Sequence, residues 1–488
     1  MVNWFTIRCA VIASVGGYAF GVDSGIIATT LAHESFYIYM FGPTGSNAAL
    51  LGAIVALYSA GNALGSFFVG PLADAISRRW SISVSGLFAT VGGILMCAAQ
   101  DPAMMIVGRF CAGVSAGINL SIIPVYIAEI SPPASRARML AILGTSIAIG
   151  FCIVDWIGYG AAFAVGNAQW RIPLGIQCVG TLAIGIAPIF IPYSPRWLVQ
   201  KGRVEEAREV LMRLHSSENE AFILNELTII QQQIDLENEV RHEGMFTQIR
   251  DLVSKRYRLR FLIAVCVFVV TNQLSGVYTI QNYQTDFYDL VGYTGNQALL
   301  VTGVYGFMGV IGQIINIAVV ADRIGRRTTM WVGSFGLAIC TAITMAMTAT
   351  VGSSTAKANT AIAFIFIYSA WYAVFFNTTS SLLVTEIFPF RLRALGFGVA
   401  SFCGFCVNIL LSEVSPLAFD GIGWKYYFVF TISSVLGGLF YIFFLPETKG
   451  MNLEEVAAVF GDVVATTYTK DAGDEEKADG QHVEILKA

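Results

Sequence analysis

Twelve runs of predominantly apolar residues follow one another along this chain, each near the roughly 20 residues that a helix needs to cross a bilayer. They lie near 9–31, 48–70, 80–100, 103–127, 138–161 and 171–193, and then near 260–282, 297–320, 329–350, 359–385, 394–416 and 424–445. A membrane barrel would show short alternating segments instead, so the runs read as helices. Composition agrees, since 13% of the 488 residues are charged, whereas soluble domains carry roughly 25%. A chain so poor in charge cannot cover a surface that faces water. The expected fold is all-α and membrane-embedded: twelve transmembrane helices in two pseudo-symmetric six-helix bundles. Its first partner is the lipid bilayer.

The basic residues set the orientation. Of 29 Lys and Arg, only Arg109 falls inside a run away from its ends, and alternate loops hold nearly all the rest. The opposite loops hold only Arg171, Lys357 and Lys425. By the positive-inside rule both termini and the charged stretch 194–259 face the cytosol. The apolar residues 9–31 contain Asp23 and run too long for the core of a cleavable signal.

The two sets of six runs share motifs. Gly70-x-x-x-Asp74-x-x-x-Arg78-Arg79 returns 248 residues on as Ala318-x-x-x-Asp322-Arg323-x-Gly325-Arg326-Arg327. Glu129-x-x-Pro132-x-x-x-Arg136 returns after 257 residues as Glu386-x-x-Pro389-x-x-x-Arg393. An even number of crossings keeps both copies in one orientation, which is a parallel repeat about the membrane normal. The expected domains are therefore a first bundle at 1–193, a cytosolic linker at 194–259, a second bundle at 260–445 and a cytosolic tail at 446–488. Within the linker Val204, Ala207, Leu211 and Leu214, then Ile223, Leu227, Ile230 and Ile234, follow helical spacing. The acidic end of the tail has the composition of a disordered segment.

Several classes are excluded. The net charge of −4 gives no reason to expect a nucleic-acid partner. The nine cysteines lie in apolar stretches, and with four scattered histidines they form no metal or disulfide pattern. No nucleophile–base pair is visible, so the chain is not read as an enzyme and no cofactor is expected beyond a coupling proton.

Six motifs in order carry a family resemblance. They are Gly16-Gly17-Tyr18-Ala19-Phe20-Gly21-Val22-Asp23-Ser24-Gly25, Gly108-Arg109 with Gly113 and Gly117, and Pro192-Tyr193-Ser194-Pro195-Arg196-Trp197-Leu198. Asn272-Gln273-Leu274-Ser275-Gly276, Glu386-Ile387-Phe388-Pro389 with Arg391 and Arg393, and Pro446-Glu447-Thr448-Lys449-Gly450 complete the set. The chain resembles a sugar porter of the major facilitator superfamily, most of all its fungal members, over about residues 14–452. The resemblance implies alternating access, with a small solute held near the midplane between the halves, in a plasma-membrane protein acting as a monomer.

Asp23 and Arg109 are the residues singled out first. A carboxylate in mid-span costs roughly 3 kcal/mol even on lenient scales, so it should face a cavity and have a partner, and Arg109 is the scarce opposite charge. Proton-coupled members of the family carry an acid and an Arg at these positions, which implies proton coupling through this pair. The competing reading is a static ion pair in a facilitator. Asp155, the second acid inside a run, is expected to touch water near the outer helix end.

Asp74, Arg78, Arg79, Glu129, Arg136, Arg138, Asp322, Arg323, Arg326, Arg327, Glu386, Arg391 and Arg393 form a candidate cytosolic latch, acids and bases pairing in one state and parting in the other. The first copy is degraded relative to the family, with Ala75 for Arg and Ser77 for Gly, so the second copy is expected to carry more of the gate.

A polyhydroxylated solute is read by neutral hydrogen-bonding groups and an aromatic wall. The candidate pocket residues are Phe20, Asn272, Gln273, Tyr278, Asn282, Ser381 and Asn408. Of the family's usual polar set Gln273 and Asn408 are kept. Tyr278 replaces Asn, Ser381 replaces Trp, and Gly144 and Gly404 replace Gln and Asn. These changes predict a vacated volume that suits a different sugar, a polyol, a cyclic polyol acid or a larger glycoside. The remaining reading, a nutrient sensor, fits a longer cytosolic tail than this one.

Overall fold

The structure is a computed structural model that describes residues 3–42, 48–132, 135–216, 220–239, 245–284, 288, 292–293, 295–350, 354–451 and 453–461. The acidic end of the tail falls outside the described residues. Among those described there are helices and no strands.

Eleven helices are long and apolar enough to cross a membrane. One of them, Leu50–Cys97, has 48 residues, about 72 Å of helix against a hydrocarbon core of about 30 Å. It breaks at Ser77, where φ is 82° and ψ is 161°, so it supplies two crossings and the total is twelve. The spans are helix 1 (Trp4–Leu31), helices 2 and 3 (the two arms of Leu50–Cys97), helix 4 (Pro102–Ile130), helix 5 (Arg136–Ala161) and helix 6 (Ala168–Phe190). Helices 7 to 12 are Arg258–Asn282, Asn296–Val320, Arg326–Ala349, Thr355–Ile387, Phe390–Phe419 and Gly423–Phe444. Helix 4 shows how local sequence starts a span. Asp101 accepts a hydrogen bond from the Met104 amide at 2.7 Å, and Pro102 takes the first helical position. A short helix not anticipated from sequence, Glu34–Phe41, follows helix 1; eight residues hold too few turns to show a period.

Two large apolar cores form, one built mainly from residues before 215 and the other from residues after 251. Large apolar side chains are also exposed in rows. Phe428, Ile432, Leu436, Leu439 and Phe443 line one face of helix 12, a surface suited to lipid and not to water. Helix 8 packs along helix 5, and helix 11 along helix 2, so the halves meet at two seams. Gly17, Gly21 and Gly25 all face helix 5, and at Gly21 a side chain would strike the Ile147 carbonyl.

Two spans are broken at mid-depth. Helix 7 is π-helical over Val267–Leu274 and turns left-handed at Gly276, φ 94°. A Cβ there would stand 2.6 Å from the Phe430 ring, so only glycine satisfies both the dihedral and the space. Helix 10 stops after Phe375 and restarts at Thr379. Such breaks expose polar groups where a span lines a cavity.

Beneath the bundles lie Pro195–Gln200, Val204–Leu214, Glu220–Glu239 and Met245–Val253. Ala207, Leu211, Ile223, Leu227, Ile230 and Ile234 bury together there, and Phe390 from the start of helix 11 joins them.

Candidate functional site

Asp23 and Arg109 meet, but not as an ion pair. Arg109 Nη1 donates to the Asp23 main-chain carbonyl at 3.0 Å and Nε to the Ile54 carbonyl at 3.4 Å. The guanidinium lies 4.2 Å from the Tyr58 ring centre, and the Tyr58 hydroxyl is 3.0 Å from that of Ser24. Asp23 is 2% exposed and its Oδ1 has no hydrogen-bond partner. The expected contact pair is thus corrected in this state: among the described residues carbonyls and an aromatic face take the Arg109 donors, and the Asp23 carboxylate feels the Arg109 charge without bonding to it. The expectation for Asp155 is corrected as well. It is 2% exposed, away from water, and its Oδ1 is also unpartnered.

A partly open cavity lies between the halves. Helices 1 and 5 contribute Phe20, Ile147, Ala148 and Phe151; helices 7, 8 and 10 contribute Tyr278, Gln281, Tyr305, Ser369, Tyr372 and Asn377. Every polar group among its lining residues is neutral.

Of the pocket residues expected from sequence, Phe20 and Tyr278 line this cavity, and Asn272, Gln273, Asn282, Ser381 and Asn408 do not. The turn at Gly276 rotates the helix 7 face, so Tyr278 and Gln281 look inward while the two residues before the turn look elsewhere. Asn272 Oδ1 accepts from the Tyr372 hydroxyl at 3.2 Å, one layer behind the wall. Gln273 Oε1 accepts from Asn408 Nδ2 at 2.8 Å; Asn408 Oδ1 accepts from Ser412 and, across the halves, from Ser59 at 3.3 Å. Asn282 is half-buried near the outer end of helix 7, and Ser381 is buried on the lower arm of helix 10.

The vacated volume is corrected too. A Cβ on Gly144 would stand 2.7 Å from both Gln313 Nε2 and Thr378 Oγ1, so groups from the other half already fill the space. Asn377 Nδ2 donates to the Gly144 carbonyl at 3.0 Å and to Gln313 Oε1 at 3.2 Å, and Gln313 Nε2 donates to Thr378 at 2.6 Å. Gly404 likewise lets helix 11 approach the Phe268 carbonyl. The missing Trp is answered by Tyr305 and Tyr372. Sequence reasoning passed over both, because an aromatic residue on an apolar helix carries no period of its own.

On the face expected to be cytosolic the repeated motifs make repeated contacts. Arg78 pairs with Glu129 at 3.2 Å and with Asp74 at 3.3 Å; Arg326 pairs with Glu386 at 3.4 Å. Two bonds cross between halves: Arg136 to Glu386 at 3.8 Å, and Arg138 to the Asp322 carboxylate. Both run from bases of the first half to acids of the second. The residue 257 places after Arg138 is Leu395, which cannot return the bond and instead packs on Gly70. Thr448 donates to Glu386 Oε2 at 3.0 Å, and Glu447 accepts from the Arg326 amide at 2.7 Å.

Other expected latch residues face elsewhere. Arg79 donates to the Ile189 carbonyl at 2.9 Å and Arg327 to that of Ile442, so each holds the last span of its own half. Arg391 pairs with Asp251 of the linker helices at 2.8 Å, and Arg393 is buried beside the Phe390 ring. Arg323 is exposed and makes no side-chain ion pair among the described residues; its carbonyl accepts from Lys449.

Two six-helix halves, a neutral cavity between them and charge pairs across one face define a membrane carrier of the major facilitator fold. The proton:xylose symporter XylE bound to 6-bromo-6-deoxy-D-glucose shares that fold, with a TM-score of 0.82 at 22% identity over 94% of this chain and 100% of that one. The inward-open XylE structure from E. coli is less alike, at a TM-score of 0.70 and 22% identity over 93% of this chain and all of that one. The family described as "Sugar (and other) transporter" matches residues 9–460, and the chain belongs to it. Similar curated proteins include the MFS-type transporter criB of Aspergillus cristatus, 32% identical over 93% of each chain. The quinate permease of Neurospora africana is 31% identical over 94% of this chain and 89% of its own. The high-affinity glucose transporter of Kluyveromyces lactis is 29% identical over 94% and 85%. The protein is a multi-pass membrane transporter and not an enzyme.

Proposed function

We propose that this chain carries a neutral sugar or polyol across the plasma membrane by alternating access, in symport with a proton held by Asp23, with both termini in the cytosol. The observation that carries the coupling is the Asp23 carboxylate, buried with an unpartnered oxygen beside an Arg109 that is satisfied by other groups. A lone acid within the membrane is costly unless it is neutral or paired. Asp23 can therefore take a proton in one state and release it when movement of helix 1 against helix 4 changes what surrounds it.

The cavity supports the solute class. Hydroxyl groups suit the amides of Gln281 and Asn377 and the phenols of Tyr278, Tyr305 and Tyr372, while sugar C–H faces suit Phe20 and Phe151. The names of the Neurospora relatives raise a second candidate, quinate, a cyclic polyol acid. Its carboxylate would enter this cavity without a cation to meet it, so neutral solutes are the favoured reading.

The test is a panel of labelled sugars, polyols and quinate in transporter-deficient cells, at several external pH values and with a protonophore. Accumulation of a neutral solute that rises at acid pH and collapses with the protonophore is expected. Uptake that ignores both would make the chain a facilitator, and uptake confined to quinate would overturn the solute class.

A further inference from the structure

A second buried carboxylate is left over from this reading. Asp155 lies on helix 5 at the seam with helix 8, where the first half meets the second. Its Oδ2 would be 2.6 Å from a Cβ on Gly306, so the acid sits where that residue has no side chain. Among the described residues its Oδ1 has no hydrogen-bond partner, and no basic group pairs with it. The titratable groups that sense its charge are Cys152 one turn back on helix 5, Tyr305 on helix 8 and Tyr288 beyond helix 7.

The same arrangement recurs at the other seam. Glu413 on helix 11 places Oε2 2.9 Å from a Cβ built on Gly52 of helix 2. Gly52 and Gly306 are 254 residues apart, and Asp155 and Glu413 are 258 apart. The acids lie within one residue of the 257-residue repeat of helices 5 and 11, while the glycines are offset by six residues from the 248-residue repeat of helices 2 and 8. Helices 5 and 11 thus each set an acid against a glycine of the opposite half. Glu413 is exposed, whereas Asp155 is enclosed.

We propose that Asp155 is a second proton-binding site, at the contact between helices 5 and 8, distinct from Asp23 and linked to how tightly that seam closes. A carboxylate without partners is far costlier to enclose than the neutral acid. One proton adds to a carboxylate oxygen as the seam closes, and it returns to water as the seam opens and wets the group. Glu413 marks the pseudo-symmetric position at a seam that leaves its acid in the open.

The test uses the full chain in lipid nanodiscs without solute. Infrared difference spectra between acidic and alkaline buffer are recorded for the wild type, Asp155→Asn, Asp23→Asn and Gly306→Ala. A titrating carboxylic-acid carbonyl band is expected in the wild type and in Asp23→Asn, and its loss is expected in Asp155→Asn. Gly306→Ala should shift that band, because the added methyl group meets Oδ2. Spectra of Asp155→Asn that match the wild type overturn the proposal. Should that variant fail to fold, an unshifted band in Gly306→Ala overturns it instead. Coupling through Asp23 is read separately, from the band lost in Asp23→Asn, so either assignment can fail alone.

Discussion

Arg109 keeps all its hydrogen bonds when Asp23 loses its charge, because it donates to the main chain of Asp23 and not to the carboxylate. Asp23→Asn is therefore expected to unfold at the same temperature as the wild type while losing accumulation against a gradient and retaining solute exchange. Arg109→Ala is the opposite case. It strips donors from the Asp23 and Ile54 carbonyls, at about 1–3 kcal/mol for each buried group left unpaired, and thermal unfolding in detergent should register the drop. The Asn377 amide reaches from the cavity wall to the Gly144 carbonyl. Asn377→Ala should raise the apparent solute constant about tenfold or more, for a loss of about 1–3 kcal/mol, at normal surface abundance. An unchanged constant would place solute recognition away from this cavity.

Helix breaks decide which side chains the cavity sees, and they are where reading from sequence stopped. The twelve spans were legible because apolar length is a property of composition. Asp23 and Arg109 were legible because charge in a span is rare. That Tyr278 and Gln281 face inward while Asn272 and Gln273 turn away depends on a π-helical stretch and one left-handed residue, and helical periodicity assumes neither. The filling of the space at Gly144 was hidden as well, since Gln313 and Thr378 come from spans distant in sequence and meet it only in three dimensions. Ser77 offers a test at this scale. Its dihedrals fall in a region that is almost glycine's alone, at a cost of order 1–3 kcal/mol. Ser77→Gly is expected to raise thermal stability by an amount in that range, and a lower unfolding temperature would mean that the Ser77 side chain supports the turn.

Across the whole molecule, the bonds Arg136–Glu386 and Arg138–Asp322 hold the two halves together at the face proposed to be cytosolic. Glu386 is 2% exposed and serves Arg326 and Thr448 besides. Glu386→Gln removes a charge from a buried network, a change of about 3–5 kcal/mol when a buried pair is broken. It should shift the resting population toward a state open to the cytosol, read as faster modification of cysteines introduced into the cavity from that side, with transport impaired at unchanged surface abundance. Arg138→Ala, at a more exposed pair, should act in the same direction and more weakly. A tag at the C-terminus should stay inaccessible from outside intact cells, and labelling there would overturn the orientation.

Phe390 belongs to three neighbourhoods at once. It begins helix 11 in the second half, joins the apolar cluster of the linker helices, and its ring centre lies 5.2 Å from the Arg78 guanidinium of the first half. Parting of the halves on this face would lift this ring off its bed. Uncovering a phenylalanine costs about 2 kcal/mol, which slows a step about thirtyfold if it falls wholly on the barrier. A carrier that returns slowly when unloaded wastes few cycles, and that kinetic economy separates an accumulating pump from a leak.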